Sequence, residues 1–425
     1  MSLTEKDIQF IWHPYTHQKN MLPPIPIVSG KGALLFDETG NTYIDAISSW
    51  WVNLHGHAHP YIAKKIYEQA KTLEQVIFAG FTHKPAVELA EKLIPLLPGN
   101  FAKIFYSDNG STSVEVAIKM ALQFWSNNGE SKRKKILAFN NSYHGDTFGA
   151  MSTSSRSIFT NAFSDKLFDV IFIDIPTNEN IDHLKSNIKK YKNEIAGFIY
   201  EPLLQGAGGM KMYNSDLLNN LLIYIKEQHI ICIADEVLTG FYRTGKMFAG
   251  EYMQQKADII CLSKGLTGGT MALGVTACTH TIYNAFVSDD KIKTFYHGHS
   301  FTANPLACTA AIASLYLLQK KECKINIDNI ISAHNTFINK LPESQAANKI
   351  KNLRQSGTIL AFEINTKNKD GYLNIISDSF TKFCLEKGVY LRPLGNTVYV
   401  MPPYCISKYQ LNKVYKVIEK FLNQN

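Results

Sequence analysis

The chain has 425 residues, 45% hydrophobic and 19% charged, so it can build a sizeable core and is not wholesale disordered. At about 100–200 residues per domain, that length points to two or three domains. The net charge of +8 is scattered, with one dense run at Lys132-Arg133-Lys134-Lys135; without a zinc-finger spacing, an RNP-like strand or a basic helix, it points to small phosphorylated or carboxylated anions and not to nucleic acid.

Residues 1–35 are rich in Pro and aromatics and read as an irregular arm. Segment 33–45 reads as a hairpin turning at Gly40-Asn41. His55, His57 and His59 alternate, which on a strand gives a metal-binding face. Gly56 and Pro60 break such a strand and no acidic or cysteine partner is suitably spaced, so a packed turn is expected and no metal. From about residue 60 to 305, helical periodicity alternates with short apolar strands. The predicted strands are 103–107, 135–139, 170–175, 195–201, 230–235 and 259–263; helices are expected at 84–97, 111–127, 181–193 and 215–228. This alternation implies a mostly parallel α/β sheet in three layers. Beyond Asn304-Pro305, helices at 306–320 and 325–341 lead into strand-like runs at 357–364, 389–393 and 397–401. A closing helix at 407–423 completes a smaller α+β unit, which the arm and hairpin can join.

One apolar run ends on Asp235, and another is followed by Lys264. They are about one strand–helix–strand step apart, roughly 30 residues, and ligands of open α/β sheets sit beyond the carboxyl ends of the strands. Both side chains are therefore expected over one crevice. A desolvated lysine there has a lowered pKa and an amine able to condense with a carbonyl. An aspartate beside it suits a protonated pyridine nitrogen. An ordinary ion pair, or a helix cap at Asp235-Glu236, is the alternative.

Gly110, Ser111 and Thr112 follow a strand and open a helix whose free amides suit a phosphate; simple N-capping is the other reading. Tyr143, in segment 141–147 after the next strand, can stack on a flat ring or merely cover the core edge. The glycine-rich segment 204–209 has neither a dinucleotide-binding nor a Walker A spacing and reads as a tight loop over the crevice. Tyr15, Trp50 and Trp51 can wall an apolar substrate or form a satellite core. The Arg392 fork can take a carboxylate bidentately or pair at the surface. No Gly-x-Ser-x-Gly elbow supports a serine hydrolase. Seven cysteines without Cys-x-x-Cys, no apolar N-terminal core and no run of about 18 apolar residues read as a reduced, cytoplasmic protein without a membrane span.

In order along the chain, several of these segments resemble the class III pyridoxal-phosphate aminotransferases. They are Tyr143-His144-Gly145, Glu201-Pro202, Asp235-Glu236-Val237 with Arg243-Thr244-Gly245, Ser263-Lys264-Gly265 and Asn304-Pro305-Leu306-Ala307. The resemblance covers nearly the whole chain. It implies a fold-type-I pyridoxal-phosphate transferase with a large α/β domain, 60–305, and a smaller α+β domain made of 1–59 and 306–425. Lys264, Asp235 and Tyr143 would be the catalytic groups, with pyridoxal 5'-phosphate on Lys264, its pyridinium nitrogen against Asp235 and Tyr143 over the ring. Gly110 and Ser111 would hold the phosphate. A homodimer with shared active sites is implied, His297, Gly298, His299 and Ser300 of one subunit completing the phosphate site of the other. Tyr15, Trp50, Tyr143, Lys264, Gly298 and Arg392 would line the substrate pocket, with Arg392 on a carboxylate. Ser300 departs from the usual Thr, and His299 and Asn109 replace smaller or apolar residues.

Segments 11–16, 48–51, 205–210 and 391–393 resemble the branch that works in biotin biosynthesis. That implies small-molecule substrates: 8-amino-7-oxononanoate is converted to 7,8-diaminononanoate, with S-adenosylmethionine, or lysine in some relatives, as amino donor. The nearest alternative is an ω-amino acid aminotransferase or an aminomutase. A nucleotide-dependent oxidoreductase lacks a Gly-x-Gly-x-x-Gly here, and a non-catalytic binding protein has no use for both Lys264 and Asp235.

Overall fold

The computed structural model describes residues 1–367 and 369–424. Near the N-terminus β1 (Ile27–Lys31), β2 (Leu34–Asp37) and β3 (Thr42–Asp45) form an antiparallel ribbon. The β2–β3 turn falls at Gly40, whose φ of 88° favours glycine. Asp37 ties it, its Oδ1 accepting from the amides of Thr39 at 3.0 Å and Asn41 at 2.8 Å. The arm before it is more ordered than its composition implies. Leu3–Phe10 is a helix closed by a capping box between Ser2 and Glu5, and the exposed β1 has no apolar alternation to betray it.

The chain continues through β4 (Phe101–Ser107), β5 (Lys135–Phe139), β6 (Val170–Ile173), β7 (Ile195–Tyr200), the short antiparallel pair β8 (Leu204–Gln205) and β9 (Lys211–Met212), then β10 (Ile231–Asp235), β11 (Ile259–Leu262) and β12 (Gly274–Thr279). Seven of these make one sheet, ordered β4-β12-β11-β10-β7-β5-β6. Only β12 runs against its neighbours, β11 and β4, so the sheet is mostly parallel. Strand alternation splits the core in two. Leu137 and Phe139 of β5, Cys232 and Ala234 of β10 and Ile260 and Leu262 of β11 enter one apolar cluster. Their neighbours Ile136, Ala138, Ile231, Ile233, Ile259 and Cys261 enter the other. A sheet covered on both faces needs such unbroken apolar strands.

In the C-terminal part, β13 (Ile350–Ser356), β14 (Ile359–Ile364) and β16 (Thr397–Val400) form an antiparallel sheet, while β15 (Val389–Tyr390) pairs in parallel with β3. The N-terminal ribbon and the C-terminal part therefore share a sheet. Among the described residues no helix is long and apolar enough to cross a membrane.

Candidate active site

Beyond the carboxyl ends of the parallel strands lies a cavity of about 500 Å³. Asp235 is the last residue of β10 and pairs with Cys261 in β11, so it stands one strand away from the Lys264 that follows β11. Lys264 opens a short 3-10 turn with a left-handed φ of 42°. Its Nζ lies 4.5 Å from the centre of the Trp51 ring. Burial lowers its pKa to about 8, opposed by the Asp235 and Glu201 carboxyls and assisted by Arg243.

Asp235 is 5% exposed. Its Oδ2 accepts from His144 Nδ1 at 2.7 Å and its Oδ1 from the Val237 amide at 3.1 Å, which fixes the carboxylate plane. Glu201, one residue past β7, accepts from the Gly206 amide at 2.9 Å and the Tyr143 amide at 3.2 Å. Burial pushes its pKa up to about 7; His144 opposes the shift and Asp235 adds to it.

The helix Gly110–Asn127 points its N-terminus into the same cavity. Asn109 caps it, accepting from the Thr112 amide at 3.0 Å while Thr112 Oγ1 accepts from the Asn109 amide at 3.0 Å. That capping box gives Asn109 a structural use and leaves the Gly110 and Ser111 amides without an acceptor among the described residues. A Cβ on Gly110 would lie 2.8 Å from Val237 Cγ1, so only glycine lets the strand end and helix start approach this closely. Ser111 Oγ accepts from the Asp146 amide at 3.1 Å.

Tyr143 lines the cavity and donates its hydroxyl to Tyr15 at 3.1 Å; Tyr15 donates to Asp146, at 2.7 and 2.6 Å from its two oxygens. Burial raises both phenol pKa values; the bond to Asp146 adds to the shift at Tyr15 and the bond from Tyr143 opposes it, while at Tyr143 the bond to Tyr15 adds to the rise. Trp50 meets Tyr15 edge-on at 5.5 Å. Arg392 lies over Trp50 at 5.1 Å and donates from Nη2 to the Tyr15 carbonyl at 2.9 Å. Tyr15, Trp50 and Arg392 thus form one cluster joined to the cavity through Tyr143 and Asp146. Arg392 has no carboxylate partner among the described residues.

Gly298, His299 and Ser300 are not brought to this cavity by their own chain. Gly298 and Ser300 are exposed, the Ser300 carbonyl accepts from Gln75 Nε2 at 2.7 Å, and Lys119 Nζ sits 3.0 Å from His297 Nδ1. The alternating histidines separate as well: His57 Nε2 meets Asp45 at 2.9 Å and His55 Nε2 meets Ser314 Oγ at 3.0 Å. Among the described residues no group of three or more His, Cys, Asp or Glu is arranged to hold a metal. Two members of the basic run have structural partners, while Lys132 and Lys134 are exposed. Arg133 stacks on Trp125 at 4.1 Å, and Lys135 pairs with Glu194 at 2.7 Å.

Trp51, offered by the sequence as a substrate wall or satellite core, lines the cavity beside Lys264, and so do His144 and Glu201, to which the sequence assigned no role. The last two lay within motifs already singled out; only their distance from a strand end pointed at them. The donor set suits a phosphorylated pyridine aldehyde: an amine of lowered pKa, a braced buried carboxylate, and open amides at a helix N-terminus.

The family model for "Aminotransferase class-III" matches residues 15–422. The chain belongs to the class III aminotransferases. This is a pyridoxal-phosphate-dependent family, and the chain has its fold-type-I α/β architecture. The chain is 44% identical, over 97% of its length and 98% of the relative's, to the adenosylmethionine-8-amino-7-oxononanoate aminotransferase of Synechococcus elongatus. The crystal structure of the enzyme of the same name from Methanocaldococcus jannaschii superposes with a TM-score of 0.94 at 34% identity, covering 99% of this chain and 98% of that one. An omega transaminase from Pseudomonas jessenii in complex with PMP shares the fold, with a TM-score of 0.93 at 24% identity over 100% and 98% of the two chains.

Proposed function

We propose that this class III aminotransferase transfers an amino group to 8-amino-7-oxononanoate, giving 7,8-diaminononanoate for biotin synthesis, with pyridoxal 5'-phosphate on Lys264 and S-adenosylmethionine as donor. The observation that carries the reading is the Lys264–Asp235 pair over adjacent strand ends, with the unpaired Arg392 fork on the cluster beside it. The names borne by the full-length relatives at 44% and 34% identity select the substrate.

In this reading Lys264, Asp235, Gly110 and Ser111 hold the cofactor, which when bound supplies an electron sink for the charge left as the donor's α-proton departs. Asp235, braced by His144 and Val237, would present its carboxyl group to the pyridine nitrogen. Lys264 Nζ moves the proton: with a pKa near 8 it is poised to accept and return it close to neutral pH. Tyr143 and Trp51, which both line the cavity, exclude water from it, and Arg392 Nη atoms orient the acid substrate by its carboxylate.

A homodimer fits the same reading. Gln75 ties segment 75–81 to Ser300, and around that tie Ile77, Phe81, Tyr296 and Phe301 are all exposed. Exposed apolar side chains of this kind suit an interface, across which His297, Gly298, His299 and Ser300 would reach a second copy's phosphate site. The seven cysteines are all free and five are buried, as suits a reducing cytoplasm.

The test is mass spectrometry of 7,8-diaminononanoate formed from 8-amino-7-oxononanoate with S-adenosylmethionine, lysine or an ω-amino acid as donor. Product with S-adenosylmethionine is expected. Product with lysine alone would reassign the donor, and no product with any donor would overturn the substrate.

A further inference from the structure

The hairpin β8–β9 carries the loop whose Ala207 lines the cavity, and its backbone is unusual. Leu203 has φ 67°, Gly209 φ 99° and Met210 φ 51°. Two of these are non-glycine residues in the left-handed region, a conformation that persists only where surroundings impose it. On the large-sheet side the imposition is visible. The Gly206 amide is held by Glu201, Gln205 Nε2 donates to the Asn140 carbonyl at 2.8 Å, and a Cβ on Gly208 would lie 2.0 Å from the Asn141 carbonyl.

On the other side stands Arg354 of β13. Its Nε donates to the Met210 carbonyl at 2.8 Å and its Nη2 to the Gly209 carbonyl at 2.6 Å. A β-bulge between Lys351 and Arg354, with Asn352 at φ 53°, aims that fork. Glu363 of β14 backs it at 3.3 Å and is itself held by Asn352 Nδ2 at 2.9 Å. The guanidinium thus satisfies two successive turn carbonyls that a lysine could not reach together.

We infer that Arg354 is a positioning residue: from the C-terminal sheet it latches the Gly206–Met210 loop in its strained form, and through Glu201 it sets the Tyr143 backbone over the cofactor pocket. Neither Arg354 nor Glu363 lines the cavity. The latch itself stands on geometry alone. Its consequence for turnover rests on the aminotransferase reading above.

Hydrogen–deuterium exchange on the full-length protein without added cofactor separates the two. In Arg354→Gln, exchange across 203–213 should rise by about ten-fold or more, the scale of a lost charge-assisted bond, while 350–364 stays protected. Glu363→Gln should raise it less, and Arg354→Lys should recover part of the protection. Steady-state assays should then show the KM for the keto acid rising and pyridoxal phosphate lost faster on dilution, with the thermal midpoint little changed. Unchanged exchange at 203–213, or exchange rising equally in β13 and β14, would overturn the latch. Raised exchange at 203–213 with KM and cofactor retention unaltered would overturn its role in the reaction and leave the aminotransferase reading intact.

Discussion

Lys264 Nζ lies 4.5 Å from the centre of the Trp51 ring, and that ring is fixed by the bond from its own Nε1 to the Tyr399 hydroxyl at 2.9 Å. The apolar wall strips water from the ammonium, which is why burial outweighs the nearby carboxyls and brings the pKa to about 8. A lysine with a lowered pKa is free base above that value. The rate at which a small aldehyde plus cyanoborohydride labels Lys264, read by peptide mass spectrometry, should therefore climb with pH and level off near 8 after correction for the reagent's own pH dependence. A rise that continues toward 10.5, the ordinary lysine value, would contradict this environment.

Asp235→Asn keeps a side chain able to accept from His144 but removes the charge. Turnover should fall by about 10²–10³-fold, the scale on which one well-placed electrostatic partner acts, while the melting temperature changes little. Near-normal turnover would remove Asp235 from the chemistry.

Glu201 has its pKa raised from 4.5 to about 7 by burial. A carboxyl with a raised folded-state pKa binds its proton more tightly when folded, so its stabilising contribution is full below 4.5 and fades as pH rises to about 7. Urea denaturation of wild type and Glu201→Gln at pH 5 and pH 8 should show wild type losing about 1–3 kcal/mol relative to the variant between the two. A difference independent of pH would show that Glu201 stays charged throughout.

Arg392→Ala should raise the KM for the keto acid by about ten-fold or more, since a charge-assisted bond contributes about 1.5–3 kcal/mol. Arg392→Lys should recover only part of this, because it loses the fork and the contact with Trp50. Unchanged KM in both would take Arg392 out of substrate binding.

Much of this was legible because β10 and β11 announce themselves as apolar runs with a polar residue at the end, and a parallel sheet puts such ends on one edge. The Gly110 helix start was legible for the same reason. Trp51 was not. It adjoins Trp50 in sequence, yet Trp50 is 43% exposed and Trp51 5%. The backbone between them kinks, with Ser49 at φ 59° and Trp51 at φ 70°, so that consecutive rings part company. No residue type there demands that conformation. β12 went unread because Gly-Val-Thr-Ala-Cys-Thr is small and weakly apolar and takes its place from the strands beside it. Arg354 gave no signal at all, the loop carbonyls it holds being more than a hundred residues away.

The most direct measurement is to load purified protein with pyridoxal phosphate, reduce it with borohydride, digest it and locate the added mass. A single modified peptide carrying Lys264 is expected, with modification and turnover both absent in a folded Lys264→Ala variant. Modification on other lysines only, or full turnover in Lys264→Ala, would contradict it.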